Sequence, residues 1–499
     1  MTRRVSNGLL WMYLSSGLSG LLQLPLLAVL ARLVAPAEFG LVTASLVVLT
    51  FGTLFAQAGL DTALVQRREL GEDHVRAAYG ASLLLATTMA LTVFAAAPVL
   101  ARIVGLPDAS PLIRALSVVL LIEGLTLGPA LLLRDLRFRA IAVLDLVGFV
   151  FGYGAVAVVL ALRGWGAAAL IAGRIGQAVV STVGHWIVRP HTLRPSLAPR
   201  PLGELLRVGG GELLARLLGT FGTQADSLVV GRWLGASALG FYGRAYRLME
   251  LPTTLFTQAI RKVLFPVLAT MQDDRARLGR TYLTGLGVLT AVTLPVCLVL
   301  ALVAEEVVLT LLGPDWRGLV PVFRILVLAM LFRASPSLSD SLILACGAVY
   351  RQAARIAFFA LLVTTGALVG QRWGVTGVAV GVLVAMGGNY LAMALLSLRL
   401  TGLGWAAFWR VQRSGVQLAA AVLATAYPTV VGMRAAAAPP IVVVLLAAFV
   451  AGGTELAVVR LAPRIGALGE LVVLTRRLLE LVPQAARIRV ARVLAIRVS

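Results

Sequence analysis

Charge is what this sequence has least of. Only 13% of its 499 residues are charged, where soluble globular chains carry about 25%. With 59% hydrophobic residues and a mean hydropathy of +0.93, the chain has too much apolar surface for water and suits a bilayer. Cysteine is almost missing. Cys297 and Cys346 lie inside apolar runs, as small buried hydrophobes do. The three histidines, His74, His185 and His191, are scattered, so no metal-ligand spacing exists and no cofactor is expected. Acids are half as numerous as bases, 22 against 44, and Lys262 is the only lysine. A soluble protein at net +22 would suggest nucleic acid. Here the arginines sit in short loops between apolar runs, not on a face with aromatics, and no nucleic-acid partner is expected. No soluble stretch is long enough to bury a core; the longest are near Arg189–Glu204 and after Arg464. A cleavable leader is not expected either, because the apolar run reaching Leu30 is longer than a signal h-region and lacks an A-x-A site.

What the chain does have is long apolar runs. About 20 apolar residues span a bilayer, and the pattern predicts fourteen spans near 8–31, 39–62, 77–100, 110–133, 140–162, 167–188, 205–231, 239–260, 281–303, 319–346, 352–370, 375–398, 412–432 and 439–459. Alternate loops test this division. Those that share a side with the N-terminus carry 30 of the 44 basic residues, and the opposite loops (Arg32, Arg102, Arg163, Arg232, Arg317, Arg372 and Arg434) carry seven. Because Lys and Arg are retained in cytoplasmic loops, both termini are expected in the cytoplasm.

The two halves repeat at an offset near 200 residues. Ala31-Arg-Leu-Val-Ala35 with Phe39-Gly-Leu41 returns as Gly231-Arg-Trp-Leu-Gly235 with Leu239-Gly-Phe241. Thr53-Leu-Phe-Ala-Gln-Ala58 returns as Thr254-Leu-Phe-Thr-Gln-Ala259. Pro111, Arg114 and Leu116 return as Pro321, Arg324 and Leu326. Trp165-Gly166 with Gly173 returns as Trp373-Gly374 with Gly381. Six spans per copy is an even number, so both copies enter the membrane the same way, with a natural site between them. The expected architecture is an all-α polytopic membrane protein with about fourteen transmembrane helices: a six-helix lobe over 1–200, a parallel six-helix lobe over 201–400, two additional helices over 401–462, and a basic amphipathic cytoplasmic tail over 463–499. That tail suits an anionic inner leaflet; a solvated tail is the plainer alternative.

Ionisable groups inside spans cost about 2.5–3.5 kcal/mol each on insertion scales and tend to face a cavity or pair. Bases in this position are Arg174, Arg216, Arg244, Arg247 and Arg333; acids are Glu123, Asp145, Glu212, Asp226, Glu250 and Asp340. Glu212 and Arg216 are four apart, a pairing geometry. Arg244, Arg247 and Glu250 share a face with one positive charge in excess. Arg174 and Arg333 have no partner nearby in sequence. Guanidinium forks match phosphate oxygens bidentately, so the five arginines are candidates for binding an anionic substrate in a central cavity. Structural ion pairing is the competing reading for each. Glu212, Asp226 and Asp340 are candidates for proton or sodium coupling. Tyr242, Tyr246, Trp165 and Trp373 could stack on sugar rings, although interfacial belts explain them more cheaply.

Several stretches carry a family resemblance. Leu30-Ala-Arg-Leu-Val-Ala-Pro-Ala-Glu-Phe-Gly-Leu-Val42, Ala63-Leu-Val-Gln-Arg-Arg-Glu-Leu70 and Leu136-Arg-Phe-Arg139 are three of them. The most recognisable is Asp226-Ser-Leu-Val-Val-Gly-Arg-Trp-Leu-Gly235 followed by Leu239-Gly-Phe-Tyr-Gly-Arg-Ala-Tyr-Arg-Leu248, Pro252 and Leu264-Phe-Pro266. Together they resemble the polysaccharide flippases of the multidrug/oligosaccharidyl-lipid/polysaccharide exporter superfamily. Glu306 departs from the pattern, standing where Pro would follow the Glu; Pro98 keeps that position in the first repeat.

The resemblance implies a non-enzymatic transporter of a bacterial inner membrane. Its substrate would be an oligosaccharide on polyprenyl pyrophosphate, moved from the cytoplasmic to the outer leaflet for polysaccharide or lipopolysaccharide biosynthesis. Partners so implied are that lipid-linked oligosaccharide, membrane lipid, and a polysaccharide polymerase and glycosyltransferases. The alternatives are an organic-cation antiporter of the same superfamily, which would want uncompensated acids in its cavity, and a membrane glycosyltransferase or polymerase, which would want a sizeable extramembrane loop.

Overall fold

The computed structural model describes residues 20, 22–67, 69–269, 274–345 and 349–461. Among these residues all regular structure is helical. Cys346 and the basic tail over 463–499 lie outside them, as does most of the first expected span. The helices are α1 (Leu22–Leu33), α2 (Pro36–Gln57), α3 (Leu60–Gln66), α4 (Glu72–Val104), α5 (Ser110–Gly124), α6 (Gly128–Arg134), α7 (Phe138–Val147), α8 (Val156–Leu162), α9 (Ala167–Val188) and α10 (Pro199–Ala269). They continue with α11 (Arg275–Leu302), α12 (Ala304–Leu311), α13 (Val320–Leu328), α14 (Met330–Ala334), α15 (Pro336–Ala345), α16 (Val349–Gly370), α17 (Gly374–Thr401), α18 (Trp405–Ala435) and α19 (Pro440–Leu461).

Eight helical runs among the described residues are long and apolar enough to cross a membrane, or ten when each bent pair forms one span. One of the eight, Ala354–Thr401, is 48 residues long. At 1.5 Å per residue that is about 72 Å, more than twice a hydrocarbon core of about 30 Å, and it breaks at Gly374 (φ 70°). It therefore holds two of the expected spans. Likewise α10, at 71 residues, breaks at Gly235 (φ 87°, ψ −178°) between the spans expected at 205–231 and 239–260. The protein is an all-α, multi-pass membrane protein, and the expected fourteen spans are compatible with these helices.

The chain forms two compact units: Met1–Gly243 with Leu311–Trp316 and Gln371–Val375, and Arg244–Thr310 with Arg317–Gly370 and Thr376–Ser499. In the first unit α2 and α3 part at Ala58 and Gly59, both with positive φ (44° and 72°). The fourth span bends by 43° between α5 and α6, and bare carbonyls at membrane depth are expensive. Side chains cover them: Ser82 Oγ donates to Gly124 O (3.3 Å), Thr182 Oγ1 to Ile122 O (3.3 Å) and Trp186 Nε1 to Leu125 O (3.1 Å). A π-helical stretch, Gly148–Ala155, follows α7. Gly152 lets it lie on α9, since a Cβ there would sit 2.5 Å from Gln177 Cα.

The repeat is visible inside this unit. A Cβ on Gly40 would stand 1.8 Å from Ala236 O, and one on Gly240 would stand 1.9 Å from Pro36 O. The offset of 200 turns one contact into the other. A Cβ on Gly105 would stand 2.5 Å from Arg232 Cα, and its counterpart Gly313 faces Arg32 more loosely, with the Arg32 Cγ at 3.7 Å. Trp316, fully buried, donates Nε1 to Ala31 O (2.8 Å) and meets Phe39 edge-on at 5.3 Å. Local geometry recurs too: Gly166 and Gly374, each after a tryptophan, both take positive φ, and the tenth span bends by 51° as the fourth does by 43°.

Glu204, at the head of α10, ties down the approach to α4. It accepts from Arg67 (2.5 Å) and meets His74 Nε2 at 3.3 Å. The His74 hydrogen bond first, then the Arg67 guanidinium, holds its carboxyl below the usual glutamate value of 4.5. A depressed carboxylate contributes above its ordinary pKa and loses that contribution as pH falls through the folded value. Amide exchange over residues 67–76 is therefore expected to quicken only below pH 4.5 in wild type, and to be already quick at neutral pH in Glu204→Gln.

In the second unit, Leu278, Tyr282, Leu286, Leu338, Leu342, Tyr390 and Phe408 form a buried core. It encloses a polar chain in which Thr290 Oγ1 donates to Gln412 Oε1 (2.7 Å) and Gln412 Nε2 to Tyr390 OH (2.6 Å). Glu306 is almost buried and takes two guanidinium hydrogen bonds from Arg434, at 2.6 and 3.0 Å. This pair fastens α12 to α18 at the position where the family pattern has proline.

Candidate functional site

The second unit gathers three of the five expected arginines. Arg244, Arg247 and Glu250 stand three apart on α10, and Tyr246 stands four before Glu250, spacings that bring them onto neighbouring faces. Arg333, on the short α14 where the tenth span bends, reaches the same place. Its Nη2 donates to Glu250 Oε1 at 3.0 Å, while Arg247 Nη1 donates to Glu250 Oε2 at 3.0 Å. Arg333 also donates to the Tyr246 hydroxyl and lies over the Tyr246 ring at 4.9 Å. One carboxylate thus serves two guanidinium groups, one half-buried (22% exposed) and one more open (46%). Arg244 is half-buried a turn away. Arg333 brings to Glu250 a second guanidinium from outside α10.

Elsewhere the candidates separate. Arg174, in the first unit, is bound one-to-one to Glu123 at 2.6 Å and lines a cavity of about 470 Å³. Arg216 is exposed and donates to Thr62 Oγ1 at 3.1 Å; the Glu212 side chain lies outside the described residues. Asp226 is buried, accepting Tyr242 OH at 2.6 Å and the Ser227 N–H at 2.7 Å. Both of its oxygens are bonded, which favours a structural role. The same contact removes Tyr242 from the sugar-stacking candidates, since its side chain is fully buried. Trp165 and Trp373 are 56% and 70% exposed, as suits an interfacial belt.

Asp340 accepts from Arg355 Nη2 at 3.3 Å, and Arg355 also donates to Asn389 at 3.2 Å. Arg355 stands among the cytoplasmic-loop bases when loops are counted from sequence. In the structure it is a mostly buried residue of α16, its side chain 12% exposed. The one sequence signal was the acid Asp340 in the preceding span, waiting for a base. The other miss is the cavity of the first unit, whose lining includes Asp61, Asp145 and His185 besides Glu123 and Arg174.

Apolar spans, an internal repeat and guanidinium groups seated among helices define a multi-pass helical membrane protein. Residues 29–321 match the family described as polysaccharide biosynthesis protein. That is more than half of the sequence, and the chain belongs to this family. It is 30% identical over 328 residues to the succinoglycan biosynthesis transport protein ExoT of Rhizobium meliloti (strain 1021), a match covering 66% of each. It is 28% identical over 336 residues to the lipopolysaccharide biosynthesis protein WzxC of Escherichia coli (strain K12), covering 65% of this chain and 66% of that one. The chain thus spans a little under two thirds of the length of these relatives. Among solved structures, the lipid II flippase MurJ in an inward closed conformation superimposes with a TM-score of 0.73 at 12% identity, covering 92% of this chain and 98% of that one. At that identity the likeness is one of fold.

Proposed function

We propose that the protein is a flippase that carries an oligosaccharide linked to polyprenyl pyrophosphate from the cytoplasmic to the outer leaflet of a bacterial inner membrane. It works by alternating access, makes and breaks no bond, and serves export of a cell-surface polysaccharide. Both termini face the cytoplasm, as the loop arginines suggest. The observation that carries the reading is the convergence of Arg247 and Arg333 on the single carboxylate of Glu250, with Arg244 beside them. Such a group concentrates guanidinium forks, whose planar geometry matches the oxygens of a diphosphate. Membership of the family and the transport named in the ExoT relative support the same cargo class. Polymerase and glycosyltransferase partners fit this role.

Direction needs little help. An inside-negative potential favours outward movement of an anion by about 2.3 kcal/mol per charge per 100 mV. The test is to compare lipid-linked intermediates in a deletion strain and its parent. Build-up of one glycolipid in the inner leaflet is expected and identifies the cargo; an unchanged lipid pool with altered tolerance to cationic drugs contradicts the proposal.

A further inference from the structure

The cavity of the first unit is walled by α2, α3, α4, α5, α6, α7 and α9, all from that one unit. Its charged lining is Asp61 from α3, Glu123 from α5, Asp145 from α7, and Arg174 with His185 from α9. The lining residues from α2, α4 and α6 carry no charge. Arg174 is committed to Glu123 at 2.6 Å. Asp61 has Arg216 of α10 within electrostatic reach, and Asp145 has His185. Three carboxylates therefore face one lining guanidinium, the reverse of the arginine group around Glu250.

His185 supplies a second, independent observation. It is 5% exposed, and its Nε2 is buried with no hydrogen-bond partner among the described residues. The backbone of Ser181, one turn back on α9, lies within electrostatic reach of the ring. In the tautomer protonated at Nδ1, Nε2 keeps a bare lone pair. A buried ring nitrogen without a partner is rare in a folded protein. Here it borders a cavity lined by three acids and one arginine. Gly128 brings the start of α6 against α9 at His185, for a Cβ there would lie 2.6 Å from His185 Cβ. The π-helical stretch begins three residues after Asp145, and such stretches recur at functional sites.

No group of three or more His, Cys, Asp or Glu among the described residues could hold a metal ion. The cation that needs only one lone pair is a proton. We propose that this cavity is a proton-binding site, in which His185 Nε2 takes a proton from water and Asp145 and Asp61 offset the charge of the imidazolium. One N–H bond forms, and the same proton leaves when the site reopens to water. Ion coupling thereby falls to a single unit and to residues other than Glu212, Asp226 and Asp340. Its use in driving transport rests on the flippase reading; its proton uptake does not.

The test titrates the purified full-length protein in detergent micelles between pH 8 and pH 5. Wild type is expected to take up about one proton per chain more than His185→Gln, the charge change of one imidazole, with His74 and His191 cancelling in the difference. Asp145→Asn keeps the imidazole but loses its counter-charge, and should lower the uptake read at pH 6. It serves as the second variant if His185→Gln fails to fold. No difference from wild type in either variant overturns the proposal, as does release of the bound proton by sodium chloride at fixed pH in wild type alone.

In vesicles, an acid-outside gradient is expected to raise wild-type flipping of a fluorescent polyprenyl-pyrophosphate saccharide about tenfold and to leave His185→Gln unchanged, since a 60 mV proton gradient is worth about 1.4 kcal/mol. Equal acceleration in both chains overturns the coupling. If wild type flips nothing, the proposed function fails while the titration still decides this site.

Discussion

Arg333→Ala should cut export of the surface polysaccharide at least about 30-fold in a deletion strain complemented with the variant. Truncating one member of a desolvated, hydrogen-bonded charge cluster costs about 2–5 kcal/mol of binding, and 1.4 kcal/mol is tenfold. Arg333 holds Glu250 Oε1 and stacks on Tyr246, so its loss also frees the carboxylate to repel a diphosphate. Arg333→Lys keeps the charge but not the planar fork, and an intermediate defect is expected. Glu250→Gln releases both guanidinium groups without removing either, and should leave export within a few-fold of wild type. Thermal unfolding of each purified variant separates a binding loss from a folding loss. Wild-type export by Arg333→Ala would remove this cluster from the substrate path.

Gly240→Ala is expected to destabilise the protein by about 1–3 kcal/mol, the usual range for overpacking a close contact, and Gly240→Val to prevent accumulation of folded protein. The added Cβ of Gly240 would meet a backbone carbonyl, Pro36 O, at 1.9 Å, and backbone cannot step aside as a side-chain tip can. Gly40→Ala should behave alike, since its Cβ would meet Ala236 O at 1.8 Å. Gly219→Ala is the control: nothing lies within 4 Å of its Cβ, and replacing a helical glycine with alanine favours the helix by up to about 1 kcal/mol. Detergent melting curves check all three. An unchanged melting temperature for Gly240→Ala would mean that the backbones around Gly40 and Gly240 are not in close contact.

The membrane class and the repeat were legible because each leaves a one-dimensional trace. Apolar runs near 20 residues and the arginine alternation show the spans. The paired motifs around Phe39-Gly40 and Leu239-Gly240 lie where the two repeats touch. Which charges meet was not legible. Arg174 finds Glu123 across 51 residues and Arg333 finds Glu250 across 83, and no spacing rule reaches that far, since helix-to-helix partners are chosen by packing. The bend at Ala329 has no proline or glycine at the break to announce it. Arg355 read as a loop base because it sits near the start of α16, yet Asp340 and Asn389 draw it inward. His185 looked like one of three scattered histidines, and only the cavity wall gives it neighbours.

Movement of a phosphorylated glycolipid across a bilayer by this chain can be read directly. The direct measurement reconstitutes the purified protein in liposomes carrying a fluorescent polyprenyl-pyrophosphate saccharide and follows its quenching by a membrane-impermeant reductant. Empty liposomes should lose about half the signal, the outer-leaflet share. Liposomes holding wild type should lose nearly all of it, and those holding Arg333→Ala should resemble empty ones on the same timescale. Loss of only half the signal with wild-type protein, under an inside-negative potential and with a proton gradient in either direction, would contradict the account.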